Sequence, residues 1–284
     1  MILNLDADLV ILTSFEMSPT LRSPREHGLS GHIFECLDYY YLLSKHMKVK
    51  VIIPELVNPE TFGSFIDSHY NVKFNKSDFI FTNYFDLLKC KKILIVDGGF
   101  WFIQKYRNRF CGKIFAFACG ADPINADYTI LADFKVYNQR YPNMIDYTKK
   151  ILPNLKRIPG DRPFAHITKN CKSLNSDQID RLLNKYPNIL AYSDSKIITE
   201  NEKYKNNFTS KQILNFNFSK FIYTPVLRHF DCSPRLIIEC QILQIPFELF
   251  EIDYYDPGLQ RRLEYPYTDF VLSETDSIID ILKE

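Results

Sequence analysis

The sequence lacks the short motifs that mark the best-known nucleotide and ester sites. It has no GxxxxGKS or GxxxxGKT segment, so a P-loop nucleotidase is not expected. No GxGxxG follows its first predicted strand, which argues against a standard dinucleotide dehydrogenase. GxSxG is also missing, so nothing supports the nucleophile elbow of a hydrolase. Any function must therefore be sought in less specific patterns.

Paired cysteine motifs are absent as well. The seven cysteines are an odd number and include no CxxC, so we expect no structural zinc site. This usage is typical of reduced thiols in a cytosolic protein.

Long apolar runs and a strong net charge are missing too. No stretch approaches the length of a membrane span, and the first residues carry Asp6 and Asp8 rather than the basic region of a signal peptide. The 35 Lys and Arg residues nearly balance the 34 Asp and Glu residues. No global field therefore draws the protein to nucleic acid or membrane, although a local basic groove stays open. We expect a soluble, cytoplasmic protein.

Apolar and aromatic residues are plentiful. The 284 residues are 46% hydrophobic and include 23 Phe and 18 Tyr, enough for two packed domains. Apolar runs alternate with amphipathic helices, which predicts α/β units with right-handed crossovers. We predict strands at 9–12, 48–54, 79–83, 92–96, 113–118, 128–132, 164–168, 189–193, 221–223 and from 247, with helices at 27–46, 176–186, 210–216 and 234–245.

A break in this pattern predicts the domain boundary. Residues 149–163 carry three prolines, a glycine and five basic residues, which is typical of a linker. The predicted domains are therefore 1–152 and 163–284, with a last helix over 274–283. We interpret 253–262 as a loop.

The stretch 221–251 carries the clearest chemistry. An apolar strand is followed by a turn with Arg228 and Asp231, and Ser233 is predicted to cap a helix whose first residue is a proline. The free amides at that helix start, together with Arg228 and Arg235, would form an anion site. Asp231 and Glu239 lie eight residues apart.

That spacing resembles the carboxylate-x7-carboxylate signature of GT-B glycosyltransferases, usually Glu-x7-Glu. Here the first acid is Asp231, and the usual glycines between the two acids are absent. The resemblance implies an α/β protein of two Rossmann-like domains facing a cleft, with the nucleotide-sugar donor on the second domain and the acceptor on the first. Asp231 would then reach the donor sugar and Glu239 the ribose, and the last helix would cross back to the first domain. The alternative is a surface helix with two solvated acids.

The same resemblance implies cations for the donor diphosphate, which is most often a uridine diphosphate (UDP) in such enzymes. Lys169 and Lys172 follow the first strand of the second domain, where a cation would stabilise the departing diphosphate without an obligatory metal. Either lysine could instead be solvated. Arg228 is the stronger candidate because it lies in the turn before the helix, whereas Arg235 could instead pair with Glu239 at i, i+4.

Candidate catalytic residues lie in the first domain. His32 opens the first predicted helix behind Gly31, and the resemblance implies that this loop lies against the donor phosphates. Gly31 would then be a donor-binding residue that lets backbone approach closely, and His32 would polarise the sugar or simply cap a turn. Asp97 and Asp122 follow predicted strands, where an inverting transferase needs a general base. Either aspartate could instead hold an Asx turn.

Compact GT-B enzymes of this kind occur in phages and large viruses, with modified DNA bases or glycans as acceptors. Basic residues in the first-domain loops make a DNA base a candidate acceptor beside a saccharide; they are Arg22, Arg25, His27, Lys105, Arg107 and Arg109. Two other functions stay open. A nucleotide-sugar epimerase of the same fold would need no acceptor, and in a non-catalytic nucleotide-binding module replacement of Asp97 would leave ligand affinity and effect unchanged.

Overall fold

Two parallel sheets organise the chain, which is an α/β protein. The computed structural model describes residues 5–12, 31–53, 59–82, 90–96, 107–118, 126–131, 143–167, 174–193, 202–204, 206–209, 215–224, 234–252 and 257–283. The chain divides into two compact units. The first comprises Met1–Ile66, Val72–Leu152 and Asp269–Glu284, and the second Asp67–Asn71 and Pro153–Thr268.

The first unit contains a seven-stranded sheet in the order β3-β2-β1-β4-β5-β6-β7, with every neighbouring pair parallel. Its central strands are apolar and buried, as a parallel sheet covered on both faces requires. The strands are β1 (Leu9–Leu12), β2 (Val49–Ile53), β3 (Phe79–Phe81), β4 (Lys92–Ile95), β5 (Lys113–Ala118), β6 (Tyr128–Leu131) and β7 (Met144–Asp146).

Helices α1 (Gly31–Leu43) and α2 (Pro59–His69) connect the first strands of this sheet. Helix α1 buries Ile33 and Leu37, which are at most 1% exposed, against the sheet. The last residues of α2, from Asp67, belong to the second unit.

The segment after Thr268 returns to the first unit, although the whole second unit precedes it in sequence. Ile151 forms a parallel bridge with Val271, supported by the hydrogen bond from Ile151 N to Phe270 O at 2.9 Å. Helix α6 (Ile278–Lys283) then buries Ile278 and Leu282 completely. These contacts make residues 269–283 part of the first unit's core.

The second unit contains a five-stranded parallel sheet in the order β10-β9-β8-β11-β12. Its strands are β8 (Pro163–His166), β9 (Leu190–Tyr192), β10 (Phe208–Thr209), β11 (Lys220–Tyr223) and β12 (Phe247–Leu249). The helices among the described residues of this unit are α3 (Ser176–Lys185), α4 (Arg235–Ile242) and α5 (Pro257–Glu264). Helix α3 begins with a capping box between Asn175 and Gln178 and covers one face of the sheet with Ile179 and Leu182.

Each sheet has a topological switch point, where the strand order reverses direction. In the first sheet it lies between β1 and β4, and in the second between β8 and β11. Ligands of open α/β sheets bind beyond the carboxyl ends of the strands at such a point. These two edges are therefore candidate ligand-binding edges.

Several predicted boundaries are wrong. The segment 253–262 is not a loop throughout, because α5 begins at Pro257 and buries Leu259 and Arg262. The predicted helix over 210–216 does not include its last two residues, whose φ angles are positive, and 210–214 lie outside the described residues. The last helix begins at Ile278 rather than at 274, because Asp276 accepts a hydrogen bond from the Ile278 N–H at 3.1 Å and so caps it.

The predicted start of α4 is one residue too early. Pro234 is the N-cap residue, with a non-helical ψ of 93°, and the first helical residue is Arg235. Among the described residues, no side chain caps this helix by a hydrogen bond; Ser233, the predicted cap, lies outside them.

Helix α4 ends in a left-handed residue that is not glycine. Gln244 has φ 55°, and the Ile245 N–H reaches back to Cys240 O at 2.8 Å, as in a Schellman motif. Because a side chain disfavours this conformation, Gln244→Gly is expected to raise the free energy of unfolding by about 0.5–1 kcal/mol. Urea denaturation would measure it. Gln241→Gly, inside the helix, is the matched control and should lower the free energy of unfolding by about 1 kcal/mol. If both variants change this free energy in the same direction, the explanation is wrong.

Candidate functional site

The carboxyl ends of β8 and β11 form the candidate site of the second unit. Hydrogen bonds extend the ladder one residue beyond the strands, from Ile167 N to Tyr192 O at 2.8 Å and from Phe250 N to Tyr223 O at 2.9 Å. The chain then enters 168–173 after β8 and 225–233 after β11, which both lie outside the described residues. These segments hold five of the predicted donor-binding residues: Lys169, Lys172, Arg228, Asp231 and Ser233.

His166 is the described side chain that stands out at this edge. It is exposed, whereas the two preceding residues of β8, Phe164 and Ala165, are 5% and 0% exposed. Tyr192 lies beside it in register on β9, and the two ring centroids are 5.1 Å apart. The Thr224 hydroxyl donates to the His166 carbonyl at 3.4 Å, which ties the ends of β8 and β11 together.

Arg235 and Glu239, both predicted donor ligands, contact each other. Arg235 Nε donates to Glu239 Oε1 at 2.6 Å, which is the i, i+4 pair that the spacing left open. His69 Nε2 lies 3.5 Å from the same oxygen, and Arg235 Nη2 donates to the Tyr70 hydroxyl at 3.3 Å. Glu239 is only 2% exposed. The cluster therefore joins α4 to the end of α2 within the second unit.

The charge on Glu239 is stabilised by this cluster. Burial is the largest single influence and favours the neutral acid. The Arg235 guanidinium and His69 together outweigh burial, so the pKa of Glu239 lies below its usual value. Glu239 is therefore a buried carboxylate held in an ion pair.

The corresponding edge of the first unit lies at the ends of β1 and β4. The Val96 N–H donates to Leu12 O at 3.2 Å, so the two strands are joined up to the switch point. Asp97 follows directly in the sequence, but it and Asp122 lie outside the described residues. Gly31 and His32 begin α1, and the placement of the His32 side chain is not described.

A buried ionic cluster beside α1 had no sequence signal. Lys149 Nζ lies 2.5 Å from Glu35 Oε2, and Lys149 is only 6% exposed. The next backbone N–H, that of Lys150, donates to the Tyr39 hydroxyl at 3.2 Å. Burial raises the pKa of Tyr39, which keeps that hydroxyl neutral. The cluster fixes the segment after β7 against α1.

One cation of the predicted basic loops has an internal partner. Arg107 Nη2 lies 2.5 Å from Asp127 Oδ1, and the other oxygen of Asp127 accepts from Ile114 N at 2.8 Å. The side chain of Arg109 is not described, and the other four residues of the set lie outside the described residues. Arg107 therefore organises the start of β5.

Sequence reasoning missed His166, Tyr192 and His69. A histidine directly after the apolar pair Phe164-Ala165 was a usable signal, because histidine is less often fully buried than phenylalanine or alanine. The contact of His69 with Glu239 had no such signal, since 170 residues separate the two.

No group of three or more His, Cys, Asp or Glu side chains is arranged to hold a metal ion within the part of the chain that the structure describes. In the same part, no helix combines the length and apolar character needed to cross a membrane. No family model matches the chain, and the search of curated proteins found no significant match.

Proposed function

We propose that the chain is a GT-B-like glycosyltransferase that moves a sugar from a nucleotide diphosphate sugar, most often a UDP-sugar in similar enzymes, to a hydroxyl group. One observation carries the proposal. The two segments with the predicted diphosphate-binding residues, 168–173 and 225–233, follow β8 and β11, the strands that flank the switch point of the second sheet.

The chemistry assigned to this edge is stabilisation of a leaving group. As the sugar departs, negative charge builds on the nucleoside diphosphate, and fixed cations and amides lower the barrier because they need no reorganisation. Arg228 and Lys169 would supply the cations, with Lys172 as a further one. Asp231 would hold a donor hydroxyl. Arg235, the first residue of α4, and Glu239, one turn further along, would support the donor site through their ion pair.

The first unit would receive the acceptor. Asp97 comes two residues after the end of β4, beside the switch point of the first sheet, which suits a general base for the acceptor hydroxyl. Asp122 is the second candidate and His32 a third catalytic one, with Gly31 allowing close approach to the donor. A modified base in DNA and a saccharide remain the two acceptor classes.

A thermal-shift panel tests the donor site. Nucleoside mono- and diphosphates, UDP-sugars and inorganic phosphate would each be added to the full chain. A diphosphate nucleoside at a hundredfold excess over its Kd should stabilise the native state by about 2.7 kcal/mol and raise the melting temperature, because it binds the folded state. Arg228→Ala should reduce this shift more than the control Arg22→Ala. Absence of any shift, or the reverse ranking, would count against the proposal.

Measurement of sugar-nucleotide turnover distinguishes a transferase from an epimerase and from a non-catalytic binding module. A transferase releases free nucleotide from the bound sugar nucleotide efficiently only when an acceptor is present, whereas an epimerase needs none. Duplex DNA with hydroxymethylated bases and a mixture of oligosaccharides are the two acceptor pools to compare. A chain that binds the sugar nucleotide but turns it over with neither pool would behave as a binding module.

A further inference from the structure

His166 and Tyr192 form an aromatic pair at the carboxyl edge of the second sheet. The two residues are register partners on β8 and β9, so their side chains emerge on the same face. Their ring centroids are 5.1 Å apart with an interplanar angle of 52°. Tyr192 therefore supports the imidazole from one side while His166 remains exposed.

The aromatic pair lies beside the switch point of the second sheet. β8 is the strand next to β11, and the pair therefore lies on the β9 side of the switch point. Phe164, Phe221 and Tyr223 share its face of the sheet, as their ring contacts show, whereas α3 covers the opposite face. An exposed imidazole with a tyrosine behind it, at the ligand edge of a sheet, offers a flat surface rather than a charge cluster.

We propose that His166, supported by Tyr192, binds the planar base of the nucleotide by stacking. This inference rests on the proposed function, because it assigns the base of the same donor. Nucleobases stack on aromatic side chains with little dependence on their identity, since every base has a π face. The diphosphate would then extend from the base toward the carboxyl end of β11.

The spacing of the strands fits this arrangement. Neighbouring strands lie about 4.8 Å apart, so β9 and β11, which flank β8, are separated by about 10 Å. An extended nucleoside diphosphate covers a comparable distance from base to terminal phosphate. The hydrogen bond from Thr224 to the His166 carbonyl keeps the ends of β8 and β11 in register across this span.

Calorimetric titration with three probes tests the assignment: uridine diphosphate, uridine and pyrophosphate. His166→Ala should weaken the binding of uridine diphosphate and of uridine by the same factor, about 5-fold to 100-fold. The affinity for pyrophosphate should not change, because only the contact with the base is lost. His166→Phe retains a ring and should keep affinity close to that of the unmodified chain. His46→Ala, at an exposed histidine of the first unit, is the matched control and should change nothing. The melting temperature of each unliganded variant shows that it is folded.

The outcomes separate the inference from the proposed function. If uridine diphosphate binds the unmodified chain and His166→Ala leaves its affinity unchanged, the base assignment is wrong while the donor site stands. If His166→Ala weakens the binding of pyrophosphate by the same factor, His166 contacts a phosphate, and the base assignment is also wrong. If His166→Phe binds as weakly as His166→Ala, stacking is not the contact. If none of the nucleotides in the thermal-shift panel binds the unmodified chain, the proposed function and this inference fail together.

Discussion

Asp276→Ala is expected to destabilise the first unit by about 3–5 kcal/mol, the range measured when one partner of a buried ion pair is removed. The Asp276 side chain is fully buried, and Lys150 Nζ lies 2.7 Å from its Oδ2. The Tyr147 hydroxyl donates to Oδ1 at 3.0 Å, and the Ile278 N–H donates to the same oxygen. Alanine would leave a lysine, a buried hydroxyl and a helix start without their acceptor.

Urea denaturation followed by hydrogen exchange would measure this effect and assign it to a unit. Amides of the first sheet should lose protection, whereas those of the second sheet should change little. Asp280→Ala is the matched control, because Asp280 lies in the helix that Asp276 caps but is exposed. Equal loss of stability in both variants would show that the buried pair has no special role.

Glu239→Ala is expected to destabilise the second unit by a similar amount, about 3–5 kcal/mol. It would leave the Arg235 guanidinium, whose side chain is 13% exposed, without its carboxylate. Glu264→Ala, at an exposed glutamate of the same unit, should be close to neutral. Hydrogen exchange should place the loss in the second unit, and an effect as small as that of the control would contradict the importance of the pair.

The Glu239 contribution should depend on pH in one direction. Because the pair lowers the pKa of Glu239 in the folded chain, its stabilising effect is complete above the unfolded value of about 4.3. It is then lost as the pH falls below that value and through the lower folded pKa. The difference in unfolding free energy between the unmodified chain and Glu239→Gln should therefore be constant above about pH 5 and shrink below about pH 4.

A double variant distinguishes a structural role of Arg235 and Glu239 from direct contact with the donor. Apolar residues of similar size often replace a buried ion pair without loss of stability, so Arg235→Met with Glu239→Leu should recover most of the lost stability. If the stable double variant still binds the nucleoside diphosphate, the two residues act through the fold. If it has lost binding, they contact the donor, as the carboxylate spacing first suggested.

The strands were the most predictable part of the fold. The run Lys113–Ala118 is apolar at every residue after Lys113, and its predicted and observed bounds agree. Short or polar strands gave no such signal: β7 reads Met-Ile-Asp and β10 only Phe-Thr. Helix α5 was missed because its sequence, PGLQRRLE, is mostly polar, and tertiary burial of Leu259 overrides that composition.

The candidate site was predictable only in part. The chain pattern located the segment after β11 and the i, i+4 relation of Arg235 to Glu239, since both depend on local spacing. It could not show that His69 approaches Glu239, or that Tyr192 lies beside His166, because these contacts depend on sheet order and on a helix from an earlier part of the chain. Long-range contacts of this kind leave no periodic trace in a single sequence.

Because residues 269–283 belong to the first unit, the two units differ in when they can fold during translation. Domains usually fold in the order in which they leave the ribosome. Here the first unit cannot close its core until Phe270, Ile278 and Leu282 have been translated, after every residue of the second unit. The second unit, in contrast, has all its parts once residue 268 has emerged. While residues 147–268 are translated, the first unit therefore still lacks these apolar residues, and the unit that begins first is the one that matures last.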